Sequence, residues 1–335
     1  MKVGRSLAFV IGCALLAACG GDDSSTPPPT GGGGTPTPSP SPTPTPSPTP
    51  TPTLPTFATL TGNQAFATAC GGTNGPEVVQ AQGFGRAVAG NPFISLDFND
   101  AADTWRVTGT SRTGEAFDTT FRPEDIDAAS AFTTFTDYLR DPGTGFRNRL
   151  LLGDKPIAGL TREYVRQFVH VVRPTATSTP STYFCTYGIP TPLTSTLPAT
   201  TVTYTSFRVL GQGMIQGGPQ AGAYDLAEST VTLTANPTNG QINTQLVVTG
   251  RLQTPSGLSE TRVDLGTYNG VAQIDGTTQN YFAVLEGNRA IVGPTSFGGW
   301  FFGPQGLEAG YGFTVQAMQQ TGERLVIAGA VTARR

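Results

Sequence analysis

From about residue 200 to the C terminus, apolar and small polar residues alternate with a period of two, and this rhythm restricts the fold more than any other feature of the chain. Val231, Leu233 and Ala235 alternate with Thr230, Thr232 and Thr234. Asn236-Pro237-Thr238-Asn239-Gly240 reads as a turn, and Ile242, Thr244, Leu246 and Val248 start the next alternation. Successive side chains of a strand point to opposite faces, so the pattern predicts half-buried strands. Further runs over about 201–210, 260–268, 279–286, 297–303, 310–317 and 324–333 bring the number to eight. Gly287-Asn288 and Thr321-Gly322-Glu323 suit hairpin links. Eight antiparallel strands can close into a barrel filled by its own side chains, which removes the open edges of a sheet. A membrane barrel would need an apolar outward band with aromatic girdles, whereas Thr, Gln, Arg262 and Asp264 occupy alternate positions here.

Residues 57–192 are less regular. Phe93 to Phe98 and Trp105 to Gly109 predict strands around an Asn99-Asp100 turn, and Phe117–Arg122, Arg149–Leu152 and Tyr164–Arg173 add more. Pro123-Glu124-Asp125 suits a short helical turn. The expected outcome is an open antiparallel sheet with long connections. The fold class is therefore all-β, with an open sheet over 57–192 and an eight-stranded antiparallel barrel over 193–335.

Ahead of both, Lys2 and Arg5 precede an apolar stretch from Leu7 to Leu16, and Leu16-Ala17-Ala18-Cys19 follows directly. The apolar run is shorter than the ~20 residues a permanent span needs, and the pattern is that of a bacterial lipoprotein signal peptide, residues 1–18. Cys19 is the expected lipidated residue and the membrane anchor. Gly20 behind it, in place of Asp, is compatible with sorting to the outer membrane. Residues 19–56 read as a tether: 13 of the 28 prolines fall there, alternating with Thr or Ser from Pro36 to Pro52. Proline excludes helix and central strand, so at ~3.1 Å per residue this run would span roughly 50 Å as an extended spacer. A spacer of that reach suits a binder that must clear a surface layer.

In an exported chain a disulfide persists, and with Cys13 and Cys19 assigned to the signal and the anchor, Cys70 and Cys185 are expected to pair. Loss of Lys2 and Arg5 leaves 18 basic against 23 acidic side chains, without a Lys/Arg run. Such a balance argues against a nucleic-acid partner. One His and four Cys cannot furnish a His-rich metal centre or tandem zinc ribbons, and neither metal nor cofactor is expected.

Phe297-Gly298-Gly299-Trp300-Phe301-Phe302-Gly303-Pro304-Gln305-Gly306-Leu307-Glu308-Ala309-Gly310-Tyr311-Gly312-Phe313 resembles the barrel signature of the transferrin-binding protein B-like surface lipoproteins. Ala328-Gly329-Ala330-Val331 is similar to the last barrel strand of that family, and Leu160 to Val165 and Tyr187 to Pro192 to the end of its "handle" sheet and the passage into the barrel. The resemblance implies a surface lipoprotein that captures haem, an iron-carrying protein or another solute through handle and barrel loops and passes it to an outer-membrane transporter. With one handle-plus-barrel lobe, this chain departs from the two-lobed transferrin binders. The candidate loops are about 72–77, 109–116, 140–147 and 211–223, on a protein expected to be monomeric. An adhesion or immune-evasion lipoprotein and a periplasmic structural lipoprotein are the alternatives.

Single-residue chemistry adds little. His170 is the one candidate haem ligand, but its alternation with Phe168 and Val172 reads first as packing. Asp97, Asn99, Asp100 and Asp103 suggest a calcium loop, yet Ala102 and Thr108 stand where that loop needs Gly and Glu. Gly211-Gln212-Gly213 fails the dinucleotide spacing, no Gly-x-Ser-x-Gly elbow occurs, and an enzyme is not expected.

Overall fold

Strand pairing in the computed structural model divides the chain into two antiparallel sheets. The structure describes residues 54–74, 77–81, 94–110, 116–140, 146–155, 157, 159–160, 162–174 and 180–335. The signal peptide, Cys19 and the tether as far as residue 53 lie outside the described residues, as do the tips of three candidate loops, 75–76, 111–115 and 141–145.

The first sheet comprises β1 (Gln64–Asn74), β2 (Glu77–Ala81), β3 (Ile94–Asn99), β4 (Thr104–Thr110), β5 (Ala116–Phe121), β6 (Thr136–Arg140), β7 (Phe146–Leu152), β8 (Val165–Pro174) and β9 (Ser181–Gly188). Its order is β5-β4-β3-β1-β9-β8-β7-β6, with β2 paired to β1 beyond β3. The expected turn at Pro123–Asp125 is a 3-10 turn. No ladder joins β5 to β6 among the described residues, so the sheet is open, but it curls until Phe121 and Tyr138 stand 6.1 Å apart across the gap. Inside the curl lies a core of Phe66, Ile94, Leu96, Val107, Phe121, Leu150, Leu152, Phe168 and Tyr187. Cys70 and Cys185 face each other in the β1–β9 register and are joined by a disulfide.

The second sheet comprises β10 (Val202–Tyr204), β11 (Ser206–Gln216), β12 (Gly222–Asp225), β13 (Thr230–Asn236), β14 (Gln241–Thr254), β15 (Gly257–Ile274), β16 (Asn280–Gly287), β17 (Ala290–Ile291), β18 (Ser296–Phe302), β19 (Glu308–Met318) and β20 (Arg324–Arg334). β10 and β11 are two halves of one stave and β12 and β13 of the next, each half pairing with its counterpart. From there β14, β15, β16, β18, β19 and β20 follow as a meander, and β20 returns to β11 over Ser206–Gln216. The result is the closed eight-stave barrel that the alternation predicts. Its lumen is filled by Tyr268, Tyr281, Tyr311, Phe297, Phe301 and Phe313 among aliphatic side chains, all at most 1% exposed in the case of these aromatics. Within the barrel the buried phenols of three tyrosines find partners: Tyr204 donates to Gly306 O at 2.8 Å, Tyr268 to Leu265 O at 2.9 Å, and Tyr311 shares a 3.0 Å bond with Thr244 Oγ1.

The sheet and the barrel meet back to back, within one compact unit that covers residues 52–335. On β19 and β20 the large residues Tyr311, Phe313, Val315, Leu325, Ile327 and Val331 point into the lumen. Alternate outward positions carry Gly310, Gly312, Ala328 and Ala330, which form a flat floor for β1, β8 and β9. Glycine is required there. A Cβ on Gly71 would stand 2.0 Å from Phe313 O, and one on Gly312 would stand 2.3 Å from the Cys70 carbonyl carbon. Flanking this contact, Phe135, Leu151, Val169 and Phe184 pack on Ala328 and Ala330, and Trp300 and Phe302 pack on Ala67, Ala69 and Val165. Leu54 joins the latter cluster, so the folded body begins ahead of Phe57.

The expectation of a loop over 211–223 is overturned. Gly211 to Gln216 belong to β11 and Gly222 starts β12, which leaves a loop of 217–221. Gly213 serves packing within β11, since a Cβ there would meet Leu265 Cδ1 at 2.8 Å. Similarly, Gly72 to Asn74 lie within β1.

Candidate functional site

Where the chain enters β8 beside the barrel, one buried carboxylate organises the junction. Glu308, at the start of β19, is fully buried and accepts backbone N–H bonds from Glu163 at 3.0 Å, Tyr164 at 2.8 Å and Val165 at 2.9 Å. Arg334 Nη1 stands 3.3 Å from the same carboxylate and bonds Glu163 Oε1 at 3.0 Å. Burial pushes the Glu308 carboxyl upward, opposed by the three N–H donors and by the nearby Arg162 charge. An uncompensated carboxylate could not be buried there. The Gly303-Pro304-Gln305-Gly306 turn precedes it. Gly303 has φ 71°, and a Cβ there would lie 2.5 Å from the Tyr164 ring, which explains a glycine at this point. The Glu and Gly-Pro elements of the 297–313 signature thus dock the first sheet on the barrel.

Beside this latch is a cavity of about 320 Å³. One wall comes from the segment between β7 and β8 and from β8 itself, with Asp154, Lys155, Arg162, Arg166 and Gln167. The facing wall is the barrel, with Arg208 of β11 and Thr332 of β20. The positions follow from local structure: Arg162 is held by bonds from Nη2 to Ser206 O at 3.0 Å and Thr332 O at 3.5 Å. Arg166 stacks 4.2 Å from the Phe57 ring centroid, and Arg208 lies 5.0 Å from that of Phe135. Gln167 Nε2 donates to Ala330 O at 3.0 Å, tying the wall to the barrel backbone. Asp154, the carboxylate in this lining, accepts the Thr136 hydroxyl at 2.8 Å. Burial and the neighbouring Arg162 charge push the Arg208 guanidinium down to about 10. Burial likewise lowers Arg162, with Glu308 opposing. Four cationic residues therefore line this space, two of them, Arg162 and Arg208, desolvated.

His170 lies elsewhere. It is fully buried in the curl of the first sheet, its Nδ1 3.2 Å from Arg149 O and its ring 5.4 Å from Phe117 and 6.0 Å from Phe121. Desolvation lowers it to about 4, so it is a neutral packed imidazole at pH 7. Asp97 and Asp100 do not converge either: Asp100 Oδ2 accepts Gly62 N at 3.2 Å, and no group of three potential metal ligands occurs among the described residues. Among the described residues no helix is long and apolar enough to cross a membrane. The cationic cavity escaped the sequence reading because Lys155, Arg162, Arg166 and Arg208 form no run, and no local signal marks Arg208 as their neighbour.

No protein-family model matches the chain, and no curated protein matches it. Among solved structures it is similar to the isotype 1 transferrin-binding protein B from serogroup B Neisseria meningitidis, at 12% identity with a TM-score of 0.37, over 80% of this chain and 44% of that one. A double mutant of the vaccine antigen transferrin-binding protein B from Haemophilus parasuis is similar at 11% identity and a TM-score of 0.36, over 76% of this chain and 54% of that one. A protein of unknown function from Nostoc punctiforme is similar at 9% identity and a TM-score of 0.21, over 81% of this chain and 95% of that one. The chain thus spans about half the length of the two transferrin-binding proteins.

Proposed function

We propose that the chain is an outer-membrane-anchored lipoprotein, displayed at the cell surface, that captures a solute or protein ligand, such as haem or an iron-carrying protein, and hands it to an outer-membrane transporter. Its role is binding, not catalysis. The filled lumen is the observation that carries this reading. A barrel closed around Tyr268, Tyr281, Tyr311 and Phe313 leaves no interior for a ligand, so recognition falls to the outer surfaces and the loops of a rigid scaffold. The Leu16-Ala17-Ala18-Cys19 sequence and the proline tether supply the anchor and the reach that display requires. Two measurements test it. Protease shaving of intact cells is expected to remove the 52–335 body, and a body left untouched sinks surface display. Titration of the detergent-solubilised chain with haem and with iron-loaded carrier proteins is expected to give a saturable complex with one of them, and no complex at ~100 µM refutes iron capture.

A further inference from the structure

We propose that the cavity between the first sheet and the barrel is a binding site for a small polyanion bearing several phosphate or carboxylate oxygens. This goes beyond the capture reading and does not depend on it. Lys155, Arg162, Arg166 and Arg208 line the space from both sheets, against the single carboxylate of Asp154, which is engaged by Thr136. Lys155, Arg166 and Arg208 form no ion pair with a carboxylate among the described residues. Several arginines elsewhere are paired with carboxylates: Arg106 with Asp118, Arg149 with Asp137, Arg289 with Asp264 and Arg334 with Glu163. The Arg162 charge opposes that of the buried Arg208 guanidinium, and an anion in the cavity would relieve that opposition.

The geometry also selects the class of anion. Guanidinium groups match the oxygens of phosphate and carboxylate as paired donors, and three of the four cations here are arginines. The Phe57 and Phe135 rings beneath Arg166 and Arg208 restrict those two side chains, which lowers the entropic cost of ordering them on a ligand. At about 320 Å³ the cavity lies at the lower end of ligand pockets (~300–1,000 Å³), the scale of a small molecule. Arg162 and Lys155 on the first-sheet side and Arg208 on the barrel side favour an anion with more than one charged group.

The test is calorimetric titration of the full chain in nonionic detergent with pyrophosphate, inorganic phosphate and citrate, with glycerol as the uncharged control. Pyrophosphate or citrate is expected to bind with a Kd below ~1 mM at low salt and more weakly at ~0.5 M salt. The phosphate and citrate arms separate phosphoryl from carboxylate ligands. Arg208→Gln and Arg166→Gln are each expected to weaken binding ~10-fold or more, Arg208→Lys less than Arg208→Gln, and Arg262→Gln, remote from the cavity, not at all. Should Arg208→Gln fail to fold, exposed Lys155 decides: Lys155→Gln is expected to weaken binding at least ~3-fold. Absence of saturable binding by every anion at ~10 mM, or binding unchanged in Lys155→Gln and Arg166→Gln, overturns the proposal. Neither outcome bears on protease shaving, so the two readings fail separately.

Discussion

Alanine at Gly71 tests the back-to-back contact on which the whole arrangement depends. The added Cβ would lie 2.0 Å from Phe313 O and 2.8 Å from Gly329 O, whereas ordinary contact begins near 3.4 Å, so the two backbones must separate by about 1.4 Å. Neither neighbour can yield alone, because both carbonyls belong to the β19–β20 ladder of a closed barrel. The strain therefore spreads to Phe135, Leu151, Val169 and Phe184 on one side and Trp300 and Phe302 on the other. Overpacking of a tight core costs ~1–3 kcal/mol, and a gap of ~0.5–1 Å forfeits a quarter to a half of each dispersion contact it opens. Together these predict a loss of at least ~3 kcal/mol, a large share of a typical ~5–15 kcal/mol. Urea unfolding is the assay, with Gly276→Ala as control, because a Cβ at Gly276 meets nothing within 4 Å. Gly312→Ala opens the same gap from the other side, so the double variant should cost at least ~1 kcal/mol less than the two single losses combined. A Gly71→Ala midpoint within ~0.5 kcal/mol of the parent would refute backbone-to-backbone packing at this point.

Two further predictions concern the first sheet. His170 is held neutral to about pH 4 in the fold, against 6.5 when unfolded, so the unfolded chain binds the proton first as pH falls. Its contribution is intact above pH 6.5 and fades toward pH 4 by about 3 kcal/mol; a His170→Gln variant should lose that slope in urea titrations at stepped pH, and an unchanged slope would contradict the assignment. Replacing Cys70 and Cys185 together by Ala opens a loop that spans 115 positions, and should lower stability by ~2–5 kcal/mol in urea; a smaller loss under ~1 kcal/mol would mean that β1 and β9 hold their register without the bond.

How much was legible in the sequence follows from which faces of a strand see water. β13 and β14 read clearly because Thr230, Thr232, Asn243 and Gln245 are exposed while Val231, Leu233, Ile242 and Leu246 are buried. β1 and β9 escaped because barrel and curled sheet cover both of their faces: Phe66 to Thr73 are all buried, and the end of β1 fell within the expected loop of 72–77. β20 is also buried on both faces, yet stayed readable because its pattern of large and small residues records two different neighbours. Gly211 and Gly213 misled for the opposite reason. They fall in the segment expected as a loop, 211–223, and are positions where Ala328 O and Leu265 Cδ1 leave no room for a side chain. The disulfide was accessible by elimination among four cysteines. Glu308 could be seen within a motif, but its partners, the Glu163, Tyr164 and Val165 amides, are backbone groups and leave no trace in composition.

The same reasoning says why charge, sparse in this chain, is concentrated in meaning at one place. A chain with 13% charged residues that pairs Arg149 with Asp137 and Arg334 with Glu163 and Glu308 has little surplus positive charge to arrange. Arg208 nevertheless faces the barrel's docked side beside Arg162, where desolvation and like-charge repulsion both disfavour it. Packing alone does not require a cation there, since the ring of Phe135 would accept an aliphatic neighbour equally well. Nor does the latch require it, because Arg334 and the three amides already satisfy Glu308. Arg208 Nη2 reaches the Thr134 hydroxyl at 3.4 Å but no carboxylate, and the anion proposed above would complete its charge balance. The glycine floor sets the distance between the walls that hold it: Gly71 and Gly312 fix how close the first sheet lies to β19 and β20.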